Sequence, residues 1–165
     1  MQKLLVSACL LSHKVRYDGA DKLCGAPLLQ RWLDEARIIT LCPEVAGGFP
    51  TPRPPAEISN SAGGNAVLAR QAIVIEKNGR DVTAGFVAGA QAALQLVQAH
   101  GIRIAILKEG SPSCGSAYTY DGAFSGGTTP QPGVTAALLK AHGVLVFSEL
   151  ELDEAAKAIE RFELD

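Results

Sequence analysis

The sequence contains four cysteines but no paired C-x-x-C motif, which removes the usual signature of a structural zinc site or a dithiol redox centre. It also lacks the G-x-x-x-x-G-K-S/T loop that cradles phosphates in many nucleotide-binding proteins. No run approaches the roughly 20 apolar residues of a membrane span. Positive charge is not in excess either: a net charge of -2 gives no basic field for gripping a phosphate backbone, so bulk nucleic acid is not an expected partner. The opening Val6-Ser7-Ala8-Cys9 has the form of a lipoprotein cleavage box, yet only five residues separate Lys3 from Cys9. A secretory signal places about 7–15 apolar residues before its cut. The expectation is a cytoplasmic protein with no membrane attachment, in a compartment where cysteines more often bind metal or do chemistry than form disulfides.

What is present argues for an α/β; single-domain three-layer Rossmann-like fold with a mainly parallel sheet. At 165 residues and 47% hydrophobic content the chain is long enough for one domain with a substantial core. Residues 1–165 read as that one domain, with irregular loops at about 10–25, 43–69 and 109–132. Leu4 to Val6, Ile38 to Leu41, Ile102 to Leu107 and Val144 to Phe147 are short apolar runs without alternation, as expected of strands covered on both faces. Ala72 to Lys77 reads as a further strand, with Val67 to Arg70 as a possible hairpin partner and Asn78-Gly79 as a turn. Pro27 opens a helix carrying Leu28, Leu29, Trp32, Leu33 and Ala36. Asp81 or Thr83 caps a helix running through Phe86, Ala90, Leu94 and Val97, and His100-Gly101 ends it. Val134 to Ala141 is a helix ending in His142-Gly143, and Asp153 is the expected cap of the last helix. Strands alternating with helices give right-handed crossovers and a parallel sheet.

Cys9, Cys42 and Cys114 each lie just beyond one of these strands, where neighbouring strand ends of an open parallel sheet converge on a ligand-binding rim. Soft thiolates favour zinc, copper(I) or iron-sulfur clusters. Three single cysteines on separate strand ends suit a site with one coordination position left open, as in a cubane cluster whose fourth iron takes a substrate; the bland alternative is three buried, inert thiols. Ser111 to Ser116 surrounds Cys114 with hydroxyls and glycine, which suits either a ligand-facing loop or a phosphate nest. Glu44, two residues after Cys42, is placed for general acid or base work, or is a solvated loop residue. Arg16 and Asp18 either aim at a ligand over the rim or simply form a turn with Gly19. Arg53, between prolines, either recognises an anion or braces a loop. His100 and His142 favour helix capping, and His13 carries no signal.

The segments LVSACLL, VRYDG, TPRPPAEI, AILKEGSPSCGS and GVTAALL, in this order from Leu5 to about Glu149, resemble the family once filed as domain of unknown function 523, which includes thiouracil desulfurases. The resemblance implies a 4Fe-4S cluster held by Cys9, Cys42 and Cys114, with a free fourth iron that binds the sulfur of a small-molecule thiolated base. It implies non-redox desulfuration of a thiolated pyrimidine or related small thioamide, with water attacking the carbon and hydrogen sulfide released. Glu44 and Ser111 are then catalytic, Glu44 moving a proton and Ser111 orienting the substrate, while Arg16, Asp18 and Ser113 bind it. Two positions depart from the pattern: Ser12 replaces a glycine, and Gly110 stands where relatives often have a basic residue. Two rivals remain at this point, a zinc-binding protein using the same cysteines with or without Cys24, and a nucleotide-binding regulatory module without turnover.

Overall fold

The computed structural model of the protein describes residues 1–11, 16–19 and 25–165. In chain order these form β1 (Leu4–Ser7), a 3-10 turn over Ala8–Leu11, α1 (Pro27–Asp34), β2 (Ile38–Leu41) and α2 (Pro43–Ala46). There follow β3 (Ala56–Ile58), a 3-10 turn at Ser59–Ser61, α3 (Gly63–Leu68), β4 (Val74–Glu76) and α4 (Thr83–Ala99). The last third holds β5 (Ile104–Leu107), β6 (Thr119–Tyr120), β7 (Thr128–Thr129), α5 (Val134–Ala141), β8 (Leu145–Ser148) and α6 (Leu152–Leu164).

The main sheet has the order β2-β1-β5-β8, and every pairing in it is parallel. Its apolar strands are covered from both sides, which explains their lack of alternation. Leu4, Val6, Ile104 and Ile106 pack against Leu29 and Trp32 of α1 and Ala155 and Ile159 of α6. Leu5, Ala105 and Leu107 face the other way, onto Ala93 and Val97 of α4 and Ala136 and Leu139 of α5. The expected three-layer α/β arrangement is therefore the one observed. Val6-Ser7-Ala8-Cys9 is the end of the central strand and the turn after it, with Val6 and Ser7 buried. Among the described residues no helix is long and apolar enough to cross a membrane.

The chain differs from expectation between 43 and 69. That stretch holds α2, β3 and α3 rather than continuous loop. The partner of β4 is β3, antiparallel with Ala56 opposite Glu76; Val67 to Arg70 instead ends α3 and turns out of it. Ile58, Val67, Val74, Phe86 and Val134 form a third cluster that fixes this hairpin over α4 and α5. Asp81 accepts the Thr83 amide at 2.9 Å and its hydroxyl at 2.6 Å at the start of α4. Asp153 lies inside the first turn of α6, whose preceding residue is Glu151. α1 stops at Asp34, and Ala36 turns left-handed at φ 52. His100 and His142 do end α4 and α5, as their glycine neighbours imply.

Candidate metal centre and catalytic cavity

β1 and β5 are neighbours although β2 intervenes in sequence on the other side of β1, so the crevice beyond them is the point where the sheet's winding reverses and where ligands bind in such folds. Cys9 leaves β1 in the 3-10 turn, Cys42 follows β2 directly, and Cys114 sits in the loop after β5. All three line one cavity of about 490 Å³. Each loop is fixed by close backbone packing. A methyl group on Gly89 of α4 would collide with the Pro43 carbonyl, and one on Gly47 with Gly85, so α2 and the Cys42 thiol in front of it lie tight on α4. The Cys114 loop caps α5: Pro112 and Ser113 carbonyls accept the Val134 and Thr135 amides at 2.8 and 2.9 Å.

Burial dominates the electrostatics here. It pushes the Cys9 thiol up to about 11, with the neighbouring Cys42 adding to the rise and Arg16 and Lys108 opposing it. Burial also raises Cys42, against the pull of the Val45 amide, and raises Cys114 further still, against its hydrogen bond to Ser113. Glu44 lies in the first turn of α2 with its carboxyl held above the ordinary range by burial, which the adjacent Arg53 and Arg16 only partly offset. Arg53 Nε donates to Glu44 Oε1 at 3.2 Å, and its Nη1 donates to the Pro50 carbonyl at 3.1 Å and the Thr51 hydroxyl at 3.2 Å. Arg53 is 8% exposed and braces its own loop, with the Glu44 carboxyl as its partner on the cavity side.

Three thiols on one cavity, none in a disulfide and all raised by burial, suit a group bringing its own positive charge, because metal binding deprotonates a coordinating thiol outright. Among the described residues no three cysteine, histidine or carboxylate side chains come close enough to share one metal ion; cysteines from three separate strand ends around one cavity fit a group large enough to bridge them. The phosphate-nest alternative fails on its amides. Ser111 Oγ accepts those of Ser113 and Cys114, each at 3.1 Å, and the Ser111 carbonyl accepts that of Gly115 at 2.9 Å. Buried Glu109 takes Ser116 and Ala117 at 2.7 and 3.1 Å through one oxygen. The amides of Ser113 through Ala117 are thus spent on the loop's own fold.

Residues 4–151 match the profile of the 2-thiouracil desulfurase family. The chain belongs to that family. It is similar to the uncharacterized protein YbbK of Bacillus subtilis (strain 168), 42% identical over 151 residues, or 92% of this chain and 98% of YbbK. It is also similar to the solved structure of the 4Fe-4S-dependent thiouracil desulfidase TudS, at a TM-score of 0.88 and 49% identity, covering 97% of this chain and 99% of that one.

Of the residues the family resemblance singled out, Cys9, Cys42, Cys114, Glu44, Ser111 and Arg16 all line the cavity. Two do not. Ser113 is 1% exposed and lies behind Cys114, its hydroxyl 3.6 Å from the Cys114 sulfur and 3.3 Å from Thr135. Asp18 stands outside the lining, 3.8 Å from Arg16, in a turn closed by the Gly19 amide on the Arg16 carbonyl at 2.9 Å. Gly110, the family departure, has φ 84, and the Tyr118 ring lies 3.2 Å from where a β-carbon would stand. Ser12, His13 and Cys24 lie outside the described residues. Glu57, Lys77, Lys108 and Tyr118 also line the cavity, and no motif had singled them out. Lys108 follows β5 as directly as Cys42 follows β2, and that position was the available signal.

Proposed function

We propose that this chain, acting as one α/β domain, removes sulfur from thiouracil or a related thiolated pyrimidine without net electron transfer and releases it as hydrogen sulfide. The observation that carries the reading is that cysteines from three strand ends line one cavity with an enclosed carboxylate. Cys9, Cys42 and Cys114 would hold a 4Fe-4S cluster. When bound, that cluster supplies an iron with an open position for the substrate's sulfur. That none of the three is in a disulfide suits the reducing cytoplasm.

The remaining chemistry belongs to the protein's own residues. Glu44, raised by burial, is suited to take a proton from water and return it, because a carboxyl nearer neutrality is the better proton carrier. In the overall change a carbon-oxygen bond forms, the carbon-sulfur bond breaks, and both protons of water leave with sulfur; no oxidant or reductant is consumed. Arg53 keeps Glu44 in place. Ser111 accepts two amides and still has its hydroxyl proton to donate to the base. Tyr17, Tyr118, Tyr120 and Phe124 supply flat walls for a planar ring, and Arg16 adds positive charge. Ser113 supports Cys114 rather than touching substrate.

The test is anaerobic reconstitution with iron and sulfide followed by incubation with 2-thiouracil and no electron donor. Uracil and sulfide appearing in equal amounts is the expected result. Intact cluster with neither product would overturn the substrate assignment, and product formation only with a reductant would overturn the non-redox step.

A further inference from the structure

Lys108 lines the cavity, and none of the roles above uses it. Its ammonium is gripped from two sides: Nζ donates to the Glu109 carbonyl at 2.9 Å and pairs with Glu149 Oε1 at 2.8 Å. Glu149, just beyond β8, is itself fixed, because its other oxygen accepts the Glu109 amide at 2.8 Å. Both side chains are largely enclosed, at 21% and 16% exposure. An ammonium has three donors, and these contacts take two. The Lys108 backbone amide donates to Ser7 Oγ at 3.0 Å, two residues before Cys9, and Ser7, Cys9 and Lys108 line the same cavity. Glu149 is absent from the cavity lining and acts from behind.

We propose that Lys108 is the positioning cation that compensates thiolate charge on the Cys9 side of the cluster, and that Glu149 sets how much of that charge the cavity receives. The inference rests on the cluster reading above. Net charge near a cluster is one of the levers on its reduction potential: a cation favours the more negative, reduced form. Removing Lys108 therefore lowers the potential, whereas neutralising Glu149 unmasks the ammonium and raises it. A pair that only braced the ends of β5 and β8, too far from the cluster for its charge to act there, would leave the potential unmoved.

The experiment is a redox titration of the anaerobically reconstituted full chain, comparing wild type, Lys108→Met, Lys108→Arg and Glu149→Gln, with iron content measured in each. The expected result is a change of about tenfold in the reduction equilibrium in each direction, ~59 mV for one electron, with Lys108→Arg close to wild type. Potentials that stay put or move the same way in Lys108→Met and Glu149→Gln, at wild-type iron content, overturn the inference and leave the cluster reading standing. Failure of wild type to assemble a cluster overturns both. If Lys108→Met does not fold, Glu149→Gln and Lys108→Arg decide: an unmoved Glu149→Gln contradicts the proposal.

Discussion

Both rims of the main sheet carry arginine-carboxylate contacts, and the two behave in opposite ways. At the rim away from the cysteines, Arg37 pairs with Glu35 and, at 2.6 Å, with Glu163, which also accepts the Gln2 amide at 3.0 Å. Hydrogen bonds dominate there, and both carboxyls are held below the ordinary range. At the cysteine rim Glu44 has its own arginine at 3.2 Å, yet burial outweighs it and the carboxyl rises. The same pair of side chains holds a carboxyl low where water reaches it and leaves it raised where water is excluded.

The contrast breaks first at Glu44. Glu44→Gln keeps the shape and removes the titrating group, so turnover should fall by about 10²–10⁴-fold while iron content stays at the wild-type level; unchanged turnover would make Glu44 a structural residue like those of the other rim. Gly89→Ala strikes the packing that holds Cys42 and Glu44. Its methyl group has backbone on the far side, so overpacking should lower the denaturant midpoint by the equivalent of about 1–3 kcal/mol and reduce the iron retained, whereas full retention would show that α2 can shift freely.

Arg53→Ala sharpens the comparison without abolishing it. Arg53 favours the ionised carboxylate, so its loss raises Glu44 further, and the acid limb of the pH dependence of kcat/KM should move to higher pH. The smallest effect belongs to the other rim. Glu163 has a depressed carboxyl, so its contribution is present above the ordinary carboxylate range and is lost as pH falls through the lowered value. Glu163→Gln should lower Tm slightly at neutral pH, lose that deficit at low pH or high salt, and leave sulfide release unaltered.

The main sheet was legible because each of its strands is a short apolar run covered on both faces, and the cysteines were legible because each follows such a run. The partner of β4 was not. Ala56-Glu57-Ile58 is too short and too close to Pro54 and Pro55 to show a period, while its pairing is decided by packing of Ile58 and Val74 over Phe86. Asp153 looked like a cap because aspartate favours that role, but the helix begins one residue earlier, and Glu151 instead accepts the Ser148 amide at 2.9 Å. Within the site, hydroxyl content pointed to the 111–116 loop but could not say which serine faces inward. Ser111 lines the cavity and Ser113 is buried against Thr135, a distinction made by the turn and by the docking of α5.

The central claim is that three cysteines from three strand ends jointly hold an iron-sulfur cluster. It is tested most directly by iron, zinc and acid-labile sulfide analysis of the anaerobically reconstituted protein, alongside Cys9→Ser, Cys42→Ser and Cys114→Ser. The account predicts iron and sulfide in equal amounts in the wild type and marked loss of both in every variant. Zinc without sulfide in the wild type, or a cluster undiminished by any of the three substitutions, would contradict it.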